Sequence, residues 1–90
     1  METYTIVAII LATDGRLVTA QEYFREAITN AKNIKDLISR DIKLTDISES
    51  QADVGLLDDA RATVEDIALD GSKQIALHHI SDIEKGIIKR

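Results

Sequence analysis

Cysteine is absent from this chain of 90 residues, which removes disulfide staples, thiolate nucleophiles and cysteine-ligated zinc together. A reducing, cytoplasmic setting is the expectation. Proline is absent too, and the four glycines stand singly at positions 15, 55, 71 and 86, so the punctuation of a loop-rich or all-β domain is missing. Aromatic residues are reduced to Tyr4, Tyr23 and Phe24. The core must therefore be aliphatic, drawn from fourteen isoleucines with leucine, valine and alanine, each large side chain giving roughly 1.5–3 kcal/mol when fully buried. The longest apolar run, Ile6 to Ala12, is seven residues, far below the roughly 20 needed to cross a bilayer. No basic segment precedes that run, so neither a membrane span nor an export signal is expected. Residues 1–90 are read as one small domain that buries about 60–65% of its unfolded surface.

What the chain has in excess is negative charge, and the excess is local. Residues 41–70 hold nine carboxylates (Asp41, Asp46, Glu49, Asp53, Asp58, Asp59, Glu65, Asp66 and Asp70) against Lys43 and Arg61, a net of −7 within a whole-chain −5. The first forty residues balance five acids with five bases, and the last twenty are basic by two charges. Such a field repels nucleic acid and anionic lipid and attracts cationic surfaces. The basic residues Arg25, Lys32, Lys35 and Arg40 are interleaved with Glu22, Glu26 and Asp36. They read as solubilising charge and not as a nucleic-acid face.

Helical signals dominate. Thr19-Ala20-Gln21-Glu22 is a capping box, and Phe24, Ala27 with Ile28, Ala31, Ile34 and Ile38 follow at three-and-four spacing. Ser48-Glu49-Ser50-Gln51 is a second box, ahead of a stripe of Val54, Leu57, Ala60, Val64 and Ile67, with Asp70-Gly71 as its stop. Gly55 within that stretch marks either a late helix start or a close helix crossing. Ser72 opens a last helix that points Ala76, Ile80, Ile83 and Ile87 inward. The expected fold is an all-α bundle of about four helices near 4–12, 20–39, 49–69 and 73–88. The alternative is α+β, in which residues 3–18 form a β-hairpin around Asp14-Gly15 and Ile42 to Thr45 add a strand beneath three helices.

Asp-Gly occurs at 14–15 and again at 70–71, but the flanking residues barely align and a duplication does not follow. The stretch from Ala12 to Glu22, with Asp14-Gly15 before the capped acidic helix at Thr19, resembles the helix–loop–helix of tellurite-resistance TerB-like domains. The resemblance carries one extra residue between Gly15 and Thr19, and it extends to nothing downstream.

Three groupings are candidates for function. Asp58, Asp59, Glu65 and Asp66 crowd one segment, with Asp59 and Asp66 a seven-residue stride apart. That spacing suits an acidic face for a basic partner, in the manner of nucleic-acid phosphates. His78, His79 and Asp82 offer metal-ligand spacing, but adjacent histidines diverge by about 100° on a helix, so no metal and no cofactor are assigned. Ile80, Ile83 and Ile87 form an aliphatic seam suited to a homo-oligomer interface. No nucleophile elbow, dinucleotide fingerprint, phosphate-binding loop or H-E-x-x-H is present, so an enzyme is not expected and no catalytic residue is assigned. The functional expectation is a small acidic, non-enzymatic interaction module, an inhibitor or adaptor that uses residues 41–70 to bind a basic partner protein. The alternatives are a metal-binding or sensing domain and a structural homo-oligomerisation unit. Direct contact with nucleic acid or membrane is not expected.

Overall fold

Apolar spacing at three and four residues is realised as five α-helices, and as no strand, among residues 3–86, which the computed structural model describes. They are α1 (Thr3–Thr13), α2 (Leu17–Lys32), α3 (Leu37–Asp53), α4 (Leu57–Val64) and α5 (Asp70–Glu84). The all-α expectation holds, and the α+β alternative does not. Asp14-Gly15 turns a helix and not a hairpin: Gly15 takes φ +83°, its N–H donates to Ala12 O at 3.0 Å, and Arg16 N–H donates to Leu11 O at 2.9 Å. Those two bonds are the Schellman cap, which satisfies carbonyls that the end of α1 would otherwise leave open.

The same device ends α3. Gly55 takes φ +89°, with Gly55 N–H on Ala52 O at 3.0 Å and Leu56 N–H on Gln51 O at 2.9 Å. A left-handed residue at these two points is what glycine supplies without a Cβ penalty. The repeated unit is thus helix–Gly–X–helix at Gly15 and Gly55. Asp70-Gly71, expected to stop a helix, lies instead in the first turn of α5.

Helix boundaries shift accordingly. The stretch expected as one helix over 20–39 divides after Lys32, where Asn33 and Ile34 N–H groups close short turns onto Asn30 O and Ala31 O. Asp36 then caps α3: its Oδ2 accepts from Ser39 N at 2.9 Å and from Ser39 Oγ at 2.7 Å, and these bonds hold its pKa below the ordinary aspartate value. From there α3 runs through Ile42 to Thr45 and through Ser48-Glu49-Ser50-Gln51 without a break. Neither that box nor Thr19 or Ser72 caps a helix, since α2 and α5 begin two residues before the expected hydroxyls.

Position in the bundle explains the override. Helix α3 packs against each of the other four helices, and it buries Asp41, Ser48, Ser50 and Gln51 beside Leu44, Ile47 and Ala52. Small side chains let neighbours approach closely, and Ser48 Oγ donates to Ala60 O in α4 at 3.1 Å. Around this axis the aliphatic core gathers Phe24, Ala27, Ala31, Val64, Ile67, Ala76, Ile80 and Ile83. The inward stripes read from the sequence for α2 and α5 are largely these residues. Helix α1 lies outermost on α2, with the Tyr4 and Tyr23 rings 6.1 Å apart.

Asp41 is fully buried, and its carboxylate holds the α4–α5 connection. Oδ1 accepts from Ala68 N at 3.0 Å and Oδ2 from Leu69 N at 2.9 Å. Truncation to alanine strands two backbone donors, each worth about 1–3 kcal/mol when left unpaired. Asp41→Ala should therefore lower unfolding stability by about 3 kcal/mol, with Asp41→Asn falling between it and the wild type. Denaturant unfolding measures both. A loss under about 1 kcal/mol for the alanine variant would contradict the assignment.

Candidate functional site

Helices α2 and α4 do not close on each other; they flank a cleft of about 480 Å³ whose floor is α3. Its walls are single helical faces. Gln21, Arg25 and Ile28 recur at four-and-three spacing along α2, with Lys32 next on the same side, and Asp59, Ala62, Thr63 and Asp66 recur along α4 and just beyond its end. Side-chain bridges span the cleft at both ends: Gln21 Nε2 donates to Asp59 Oδ2 at 2.7 Å, and Lys32 Nζ lies 3.2 Å from Asp66 Oδ2. In the floor, Thr63 Oγ1 donates to Gln51 Oε1. Both residues are at least nine-tenths buried.

This geometry divides the four carboxylates that the sequence groups together. Asp59 and Asp66 do share a side, as their stride requires, but that side faces α2. Asp58 and Glu65 point away from it. Asp58 stands fully exposed in the first turn of α4, 3.5 Å from Arg61 Nη1, and Glu65 is exposed at the C-cap. Arg61 also pairs through Nη2 with Glu84 of α5, so this cation is shared between two acids.

The histidines part company in the same way. His78 lies on the surface with Nε2 3.5 Å from Asp82 Oδ2, whereas His79 turns toward α3, with Nε2 2.8 Å from Asp53 Oδ1 and Nδ1 3.6 Å from Glu49 Oε2. His78, His79 and Asp82 are therefore not brought together. Among the described residues no group of three or more histidines and carboxylates is placed to hold a metal ion.

The aliphatic seam on α5 is sorted by burial. Ile80 and Ile83 are buried in the core of the single chain, and Ile87 lies outside the described residues. The exposed aliphatics include Ile6 and Ile10 on α1, Leu17 and Val18 on α2, Ile38 and Ile42 on α3, and Ile75 and Leu77 on α5. No helix among the described residues is long and apolar enough to cross a membrane.

No protein family, curated protein or solved structure gives a significant match to this chain. The resemblance of residues 12–22 to the TerB-like helix–loop–helix thus stays one of local form, a helix, a glycine-capped turn and a helix. The fold's own geometry has to carry the functional reading.

Glu49 supplies a pH test of that geometry. Burial pushes its pKa above the ordinary glutamate value; His79 beside it pulls the other way, and Asp46 and Asp53 push it further up. A pKa raised in the folded state contributes stability that is fully present below the unfolded value and is lost as pH rises through the folded one. Glu49→Gln, uncharged throughout, should match the wild type in melting temperature at about pH 4 and exceed it at about pH 7. A difference independent of pH across that window would contradict the burial of this carboxylate.

Proposed function

We propose that this chain is a small, non-enzymatic interaction module, an inhibitor or adaptor that sets an acidic surface from residues 41–70 against a basic patch on another protein. The proposed setting is the cytoplasm, which a chain without cysteine permits. The observation that supports this reading is the way the carboxylates are divided. Asp41 is engaged in the core, Asp59 and Asp66 toward α2 and Asp53 by His79, yet Asp46, Glu65 and Asp70 are exposed with no ion-pair partner among the described residues, and Asp58 is exposed beside Arg61. The cation nearest the α4 acids, Arg61, is held by Glu84 as well as Asp58. What remains is a negative field spread over α3, α4 and the start of α5, and a field of this sign speeds encounter with a cationic partner.

The test exchanges two exposed charges, of which only Asp58 has a partner, the surface residue Arg61 3.5 Å away. Asp58→Asn with Glu65→Gln should leave the circular dichroism spectrum and melting temperature unchanged. The double variant should slow association with a captured basic protein several-fold and flatten its salt dependence. A captured partner indifferent both to salt and to this variant, or no partner at low salt, would overturn the reading.

Self-association is a second proposal, with its interface on α1 in place of α5. Two chains of net charge −5 repel each other across their acidic sides. Helix α1 carries no charged residue from Thr3 to Thr13 and leaves Ile6 and Ile10 exposed. It is the surface on which two copies meet without like-charge repulsion. Sedimentation equilibrium at tens of micromolar should give twice the single-chain mass, and Ile10→Glu should restore the monomer. A monomer at that concentration in the unaltered protein would contradict it.

A further inference from the structure

The cleft between α2 and α4 is not needed for an acidic docking surface, and its lining is unlike that surface. Three of its walls carry polar groups of different kinds. Arg25 stands between the two bridges on the α2 side and forms no ion pair among the described residues. Asp59 and Asp66 stand on the α4 side, the first held only by a neutral amide. In the floor, the bond from Thr63 engages the carbonyl end of Gln51 and leaves its NH2 end to the cleft it lines. Ile28 and Ala62 supply the apolar contact.

Ala62 is small where Arg25 and Ile28 line the facing wall, and the Gln21–Asp59 and Lys32–Asp66 contacts cross the cleft on either side of Arg25. At about 480 Å³ the cleft lies within the range that small-molecule sites occupy. Its mixed charge decides the ligand class. Asp66 is already paired with Lys32, so a purely cationic group drawn to Asp59 would meet Arg25, and a purely anionic group drawn to Arg25 would meet Asp59. A molecule bearing an ammonium and a carboxylate is matched at each side. The guanidinium takes a carboxylate in a two-bond fork, and the ammonium replaces a neutral amide on Asp59 with a charge-assisted hydrogen bond.

We propose that the α2–α4 cleft is a binding site for a small zwitterion of the amino-acid class, its carboxylate on Arg25, its ammonium on Asp59, and its polar side chain toward Gln51 and Thr63. Each of these contacts lies on a wall of the cleft opposite or beneath the others, so the ligand bridges α2 to α4 as Gln21 now does. Such a ligand stiffens the helix that carries Asp58 and Glu65 on its other side.

The experiment titrates the full chain with each of the common free amino acids and follows amide and side-chain shifts by two-dimensional nuclear magnetic resonance. The expected result is saturable movement of the Arg25, Ala62 and Thr63 amides and of the Gln21 and Gln51 side-chain NH2 groups by at least one amino acid. Its decarboxylated and deaminated analogues should bind about tenfold more weakly or worse. Ala62→Phe, at a solvent-facing position, should fill the cleft and abolish binding with no loss of melting temperature. Should that variant fold poorly, Arg25→Gln serves in its place and should weaken the amino acid while leaving its decarboxylated analogue unaffected. Absence of any saturable shift at about 10 mM, equal affinity for the amine-only analogue, or full binding by a folded Ala62→Phe protein would overturn the proposal.

Discussion

A carboxylate with no solvent contact, accepting two backbone hydrogen bonds, sets the terms for the rest of this molecule. Asp41 sits on α3 and receives the N–H groups of Ala68 and Leu69, 27 and 28 residues further along the chain. Burial without those bonds would carry a large desolvation penalty, so the connection between α4 and α5 has one position available to it. With that connection fixed, α5 lies on α3, and Ile80 and Ile83 enter the core. The other buried polar groups of α3 act in the same sense. Ser48 reaches Ala60 O, and Gln51 meets Thr63, so α4 is held by hydrogen bonds at two points along its eight residues. A purely apolar axis would leave register and rotation of so short a helix less determined.

Fixing α4 from beneath gives its two sides different work. The side toward α2 meets Gln21 and Lys32 across the cleft. The outer side leaves Asp58 and Glu65 in water. A helix that floated on a greasy core would blur this division, because Asp58 and Asp59 are adjacent and only about 100° of rotation separates the side that faces α2 from the side that faces water. The hydrogen-bonded floor keeps the cleft open and the acidic side acidic. Both functional proposals, the basic partner and the zwitterionic ligand, therefore depend on the polar axis of α3.

The sequence announces some of this and hides the rest. Helical class and the inward stripes of α2 and α5 are readable because Phe24, Ala27 and Ala31, or Ala76, Ile80 and Ile83, repeat at helical spacing, which local composition alone reveals. Helix α3 is concealed because its buried face mixes Leu44, Ile47 and Ala52 with serine, glutamine and aspartate, polar residues whose local preference is largely for caps and turns. Ser48-Glu49-Ser50-Gln51 matches a capping box in every local respect, and tertiary packing overrides it. Asp36 is a permitted N-cap residue without a box, and the apparent continuity of Ala31, Ile34 and Ile38 masks it. The acidic cluster was visible as charge, but the split between Asp58 with Glu65 and Asp59 with Asp66 needs the position of α2, which no short-range pattern contains. Gln21 and Gln51 are legible in the sequence only as parts of capping boxes and Thr63 as part of no motif, and the three come together only where α2, α3 and α4 meet.

The polar axis is most directly examined where Asp41 meets the chain. Native-state hydrogen exchange resolved to single amides reads the Ala68 and Leu69 N–H groups, which lie outside any helix and bond to no backbone carbonyl in this arrangement. If the Asp41 carboxylate fixes the α4–α5 connection, both amides exchange only through global unfolding, as slowly as the core amides of Ile47 and Ile80. Exchange of Ala68 and Leu69 at the rate of an open loop, with the core still protected, would contradict the account.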